Sequence, residues 1–219
     1  MTDCLADPER ELALSYAERQ ARPYLRALWA VDERFGAILA GTTEAAIGEM
    51  RLLWWRDALT EAPQATRAEP LIEAAATAMR EAGTSGADWG AMTEGWHALL
   101  QQPIEPAELE RFARERGSRL FSLSATILGA PDWPGLEDAG QGWALTDLAY
   151  RITDGGVAAE ARARATAFFP GRPRWPRELR PLGALTVLAR RDAHAGRTRR
   201  RQGSPGRVAR MAWHRLTGR

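Results

Sequence analysis

Apolar positions recur every three to four residues along nearly the whole chain, and the strict alternation of half-buried strands, with its enrichment in β-branched residues, is absent. The breaks fall at Gly, Pro and Ser/Thr. They delimit helices over about Pro8–Gln20, Pro23–Ala40, Ala45–Ala62, Glu69–Ala82 and Ala87–Gln101 in the first half. The second half predicts Ala107–Leu128, then Leu136 to a stop at Gly155–Gly156, then Val157–Phe169, Leu182–Ala195 and Ser204–Leu216. Residues 170–181 hold four prolines and read as a connector. No period repeats. The expected architecture is a single all-α domain of roughly eight to ten helices.

The Ala45–Ala62 stretch, AAIGEMRLLWWRDALTEA, is read as a central core helix. Its apolar positions Ile47, Met50, Leu53, Trp54, Ala58 and Leu59 lie near one face, flanked by Arg51, Trp55 and Arg56. Consecutive residues project about 100° apart, so Trp54 and Trp55 cannot share one environment. The expectation is that Trp54 packs in the core and Trp55 faces a cavity.

Composition adds little to the fold and more to the surface. A chain with 45% hydrophobic and 26% charged residues, and no apolar run of about 18, holds no membrane-spanning helix. MTDCLADPERE at the start is acidic and lacks the apolar core of a secretory signal. The single Cys4 rules out an internal disulfide and fits a reducing cytoplasm. Every basic residue is arginine. Residues 160–219 carry sixteen arginines against Glu160, Glu178 and Asp192, a net of +13, leaving −11 on residues 1–159. Such asymmetry implies either self-neutralisation within the fold or a surface for an anionic partner.

The basic end is a candidate surface in its own right. Arg199, Arg200, Arg201, Arg207 and Arg210 accompany Val208, Met211, Trp213 and Leu216 in a basic amphipathic segment, preceded by an exposed, mobile RTRRRQGSPG stretch. Three readings stand: the apolar face packs on the acidic body, it lies on an anionic membrane surface with Trp213 at the headgroups, or it meets a protein partner. No nucleic-acid-binding signature accompanies it, and no nucleic acid is expected. His97, His194 and His214 have no partner at metal-ligand spacing and read as ordinary surface or interface histidines.

Several segments resemble the squalene/phytoene synthase family. Ile47-Gly48-x-Met50-Arg51-x-x-x-Trp55-x-x-x-Leu59 is similar to its third helix and Tyr24–Val31 to its second. Leu109–Pro131 resembles its long helix ending in Leu-Gly, Leu136–Asp154 the helix with the second aspartate-rich motif, and Pro181–Asp192 a late helix. The resemblance implies an isoprenoid-synthase-type bundle, here shortened, over residues 1–196, with a basic segment at 197–219. In true synthases, paired Asp-x-x-x-Asp motifs on facing helices hold Mg²⁺, which binds the substrate diphosphate and promotes its ionisation. This chain departs from both motifs. The first places Gly36, Ala37 and Ala40 where acids belong, or Asp32–Glu33 with Gly36 in a slipped register. The second sets Arg151 at a metal-binding aspartate position, one turn after Asp147. Asp147 and Arg151 suit a helix ion pair, and an arginine there also suits direct binding of a phosphate.

The resemblance is closest to the family's non-synthase branch, which includes a mitochondrial complex I assembly factor. It implies a non-catalytic binding or assembly factor in the cytoplasm, peripheral to the inner membrane, with an apolar isoprenoid-like ligand or a protein as partner. Two alternatives stand beside it: a prenyltransferase that condenses isoprenyl diphosphates, and a membrane-peripheral scaffold. Trp29, Asp32, Glu33, Arg51, Trp55, Phe121, Asp147 and Arg151 are the candidate cavity or ligand-binding residues. No residue is assigned to catalysis or to a metal, and Mg²⁺ enters only under the prenyltransferase alternative.

Overall fold

The computed structural model describes residues 4–64, 69–196 and 200–219. Helices α1 (Pro8–Leu14), α2 (Arg22–Ala40), α3 (Ala45–Glu61), α4 (Pro70–Ala82), α5 (Gly86–Ala91) and α6 (Thr93–Ala98) form the first half. Then follow α7 (Pro106–Phe112), a π-helical turn (Ala113–Ser118), α8 (Arg119–Ile127), α9 (Leu136–Arg151), α10 (Gly155–Ala167), α11 (Arg180–Ala195) and α12 (Pro205–Thr217). The α7–π–α8 run is one rod and α5–α6 another, which leaves ten rods and no strand among the described residues.

Local chemistry explains most boundaries. Asp7 caps α1 by accepting from the Glu9 and Arg10 amides, Ser85 caps α5, and Gly83 ends α4 in the left-handed region at φ 66°. Gly155–Gly156 opens α10 instead of stopping α9. Asp154 accepts from the Val157 amide and makes the pair the first turn of a new helix. The first predicted helix is also shorter than expected, ending at Leu14.

Helix α9 is the enclosed centre of the bundle. It buries Leu136, Ala139, Gly140, Trp143, Ala144, Leu145, Asp147 and Leu148, packed by the π turn, α8, α10 and α11. Gly117 in the π turn and Gly140 in α9 make the tightest crossing. A Cβ at Gly117 would stand 2.7 Å from the Gly140 carbonyl carbon, and one at Gly140 equally close to that of Gly117. Only two glycines permit this backbone-on-backbone approach.

Helix α3 is not the central helix that its apolar content implied. Its buried face is Gly48, Leu52, Trp55, Ala58 and Leu59, directed at α2, α5 and α6. Trp55 is 6% exposed and meets Phe35 edge-on at 6.2 Å, whereas Trp54 is 47% exposed beside Met50 and Leu53. The expected division of the two tryptophans is therefore reversed. Both faces of α3 carry apolar residues, so hydrophobicity alone does not choose the inner one. Gly48 lies on the inner face, where a Cβ would stand 2.9 Å from Leu100 Cδ2.

The C-terminal helix is folded onto the body. Met211 and His214 of α12 are fully buried, and His214 lies with Trp175 over Gly183 of α11. Trp175 sits within the proline-rich connector yet is buried, stacked on Trp133 at 4.0 Å, with its amide donating to the Gly218 carbonyl. Residues 200–204 are likewise held: the Gln202 side-chain amide donates to Asp7 and the Gly203 amide to Glu9. That part of the RTRRRQGSPG stretch is pinned where mobility was expected, because Asp7 and Glu9 supply the acceptors. Arg197 and Arg199 lie outside the described residues.

Candidate functional site

Where α2, α9 and the π turn converge, the core is ionic. Asp32 of α2 and Asp147 of α9 face the same point, and Arg116 from the π turn lies between them. Arg116 Nε and Nη2 donate to the two Asp32 oxygens at 2.9 and 3.0 Å, and Nη2 also reaches Asp147 Oδ2 at 3.1 Å. Arg10 of α1 donates to Asp32 through Nη2 and to the Trp29 carbonyl through Nη1 at 3.2 Å. The Trp96 indole N–H completes the Asp32 shell at 3.0 Å. Asp147 accepts from Arg151 Nε at 2.9–3.0 Å and from Arg200 Nη2 at 2.6 Å. Two carboxylates thus meet four guanidinium groups.

Aromatic rings enclose the cluster. The Arg116 guanidinium lies 4.3 Å from the Trp96 ring and 4.7 Å from that of Trp143, and Arg10 lies 4.8 Å from Trp143. Phe112 and Phe121 back these rings, at 5.5 Å from Trp96 and 5.6 Å from Trp143. Trp96 also occupies the space beside Gly36, where a Cβ would stand 3.0 Å from its Cη2. A wider tier of ion pairs follows: Arg207 of α12 bridges Glu9 of α1, at 2.5 and 2.8 Å, to Asp192 of α11 at 2.6 Å.

The electrostatics follow from burial and pairing. Burial alone would raise the Asp32 pKa, but Arg116 and Arg10 outweigh it and hold the carboxyl at about 2. Asp147, equally buried, is pushed well below the ordinary carboxylate range by Arg116, Arg200 and Arg151. Both are ionised near neutral pH and already accept from guanidinium or indole donors. They have no proton to give as general acids.

This donor set does not fit Mg²⁺. That ion demands near-octahedral oxygen ligands and keeps much of its water, whereas Asp32 and Asp147 are surrounded by bulky cations and rings. Among the described residues no group of three or more His, Cys, Asp and Glu side chains is placed to hold a metal. No step through a metal is derived for this centre.

The eight sequence candidates separate. Asp32, Asp147 and Arg151 belong to the cluster, and Trp29 and Phe121 border it; the Trp29 indole donates to Ser124 Oγ at 3.0 Å. Glu33 accepts from the Ala6 and Asp7 amides and anchors the N-terminal segment. Arg51 is exposed, 3.3 Å from Thr42 Oγ1, and Trp55 packs on Phe35 away from the cluster. Of the basic-end candidates, Arg200 and Arg207 are bound to acids, while Arg201, Arg210 and Trp213 are exposed. Arg10, Trp96, Arg116 and Trp143 were not among the candidates. Arg116 did carry a signal: it falls in helical phase with Leu109, Phe112, Ala113 and Leu120, all buried. A separate surface cleft of about 580 Å³, lined by Thr84, Ser118, Arg119, Ser122 and Thr126 among others, does not reach this centre.

An all-α bundle with acidic residues on facing helices around its centre is the architecture of isoprenoid synthases. A sequence model of the squalene/phytoene synthase family matches residues 5–162, from just before α1 through most of α10, and the chain belongs to that family. Comparison with curated proteins and with solved structures gives no match.

Proposed function

We propose that this chain is a non-catalytic member of the squalene/phytoene synthase family, a helical binding or assembly factor of the family's non-synthase branch that works peripheral to the inner membrane. One observation carries the reading: Asp32 and Asp147, on the helices where the family's metal-binding acids belong, are neutralised by Arg10, Arg116, Arg151 and Arg200. Opening the centre to a diphosphate and its metal ions would require breaking these buried pairs, at about 3–5 kcal/mol for each uncompensated charge. Rings of Trp96, Trp143, Phe112 and Phe121 fill the volume around them. A protein closed in this way acts through its surface.

The test is incubation with farnesyl or geranylgeranyl diphosphate and Mg²⁺, following released pyrophosphate and any condensed product. No turnover above the protein-free control is expected. Robust turnover that a chelator abolishes would overturn the reading and reinstate the prenyltransferase alternative.

A further inference from the structure

Helix α12 has two unlike faces. Arg207, Met211 and His214 point into the body, the first held by Glu9 and Asp192. At about 100° per residue, Ala209, Ala212, Trp213 and Leu216 occupy a sector on the opposite side. Trp213 is 63% and Leu216 78% exposed. Arg210 stands on one flank of this strip and Arg215, with Val208, on the other; all three are exposed. Arg201 lies before the helix and Arg219 after it, both exposed.

The acids that hold Arg200, Gln202 and α12 on the body are already taken, and the exposed Glu178 lies by Arg180 at the C-terminal end of the helix. Glu9 and Asp192 are bound by Arg207, Asp147 by Arg200, and Asp7 by Gln202. No acidic residue occurs between Asp192 and Arg219. Arg201, Arg210 and Arg219 form no side-chain ion pair among the described residues, and Arg215 rests over the Tyr16 ring at 5.1 Å. The rim of the apolar strip is therefore of one sign.

We propose that the outward face of α12 docks on an anionic lipid bilayer. An apolar strip directed away from the body, with cations on both flanks, is the geometry of a helix lying in the membrane interface. Trp213 sits at headgroup level, Leu216 reaches the upper acyl region, and the guanidinium groups engage lipid phosphates. A rim of one sign complements a surface of uniformly opposite charge. This inference rests on the reading of the chain as peripheral to the membrane and names the surface that would hold it there; it does not depend on the closed centre.

The experiment is co-sedimentation of the full chain with vesicles of phosphatidylcholine alone, or of equal parts phosphatidylcholine and phosphatidylglycerol, at low and high salt. Two variants accompany it: Trp213→Ser with Leu216→Ser, and Arg201→Gln with Arg210→Gln. All four positions are exposed, so unchanged thermal unfolding midpoints are expected for both. The wild type should bind the phosphatidylglycerol vesicles alone and be released by high salt, which screens exposed charges. The arginine pair should lower partitioning about thirtyfold, about fivefold for each arginine, the factor that corresponds to ~1 kcal/mol apiece. The serine pair should abolish binding at moderate salt. Absence of binding to the anionic vesicles would overturn the proposal. So would binding that the serine pair leaves unchanged, since that is adsorption of charge without insertion. Either failure leaves the pyrophosphate assay unaffected, so the docking surface and the non-catalytic reading fail separately.

Discussion

Replacing Asp32 by Asn retains the shape of the side chain and removes its charge. The two Asp32 oxygens accept from Arg116 Nε and Nη2, Arg10 Nη2 and Trp96 Nε1, four donors in all. In Asp32→Asn one oxygen becomes an NH₂ group facing a guanidinium, and Arg10 loses its ion-pair partner while remaining buried. Removing one member of a buried pair costs about 3–5 kcal/mol, a large part of the ~5–15 kcal/mol that stabilises an ordinary domain. A second figure, of the same order, comes from protonation. The folded pKa of about 2 lies below the unfolded 3.8, and that gap corresponds to about 2 kcal/mol. Because the folded value is the lower one, this stability is present above pH 3.8 and is lost as pH falls through about 2. Urea unfolding followed by tryptophan fluorescence and circular dichroism should show Asp32→Asn lowered by about 3–5 kcal/mol near neutral pH. The wild type should weaken over the acid window while Asp32→Asn shows a shallower acid dependence. The combination Arg10→Met, Asp32→Leu and Arg116→Met removes both principal cations with the charge and should recover much of the loss. An Asp32→Asn midpoint indistinguishable from wild type would refute the reasoning, because it would mean that the arginines do not depend on this carboxylate.

Two further substitutions test the packing. Trp55→Ala should cost about 3–5 kcal/mol in urea unfolding and Trp54→Ala within about 0.5, the ordering that burial dictates; the reverse ordering would restore Trp54 to the core. Gly140→Ala places a methyl against the Gly117 carbonyl, so the π turn and α9 must separate, with an expected loss of about 1–3 kcal/mol or more and a lower thermal midpoint; a neutral effect would contradict the close crossing.

Much of the fold was readable because helices announce themselves through spacing and stops. The Pro and Gly punctuation located α2, α4 and the α7–α8 rod nearly to the residue. Facing was harder. In α3 both sides are apolar, and the inner one is the side that meets Phe35 of α2 and Leu100. Periodicity cannot weigh a contact supplied by Leu100, in the turn after α6 and far along the chain from Gly48. The site was half legible. Asp32, Asp147 and Arg151 stood out against an expected acidic motif, whereas Arg10 and Arg116 are two arginines among thirty in a chain without lysine. Helical phase places Arg116 on the buried face, but the π turn that aims it at Asp32 is visible only in three dimensions.

The pairing of Arg207 with Glu9 spans 198 positions, and Arg200 reaches back to Asp147 across 53. A ribosome delivers α1 and α9 long before it delivers either arginine. During that interval Glu9 and Asp192 lack Arg207, and Asp147 lacks one of its three arginines. Contacts so distant in sequence form slowly, because a large loop must close before they stabilise anything. The last residues described therefore act as a fastener on the finished bundle, and a nascent chain halted before Arg200 would carry a centre with incomplete ionic closure.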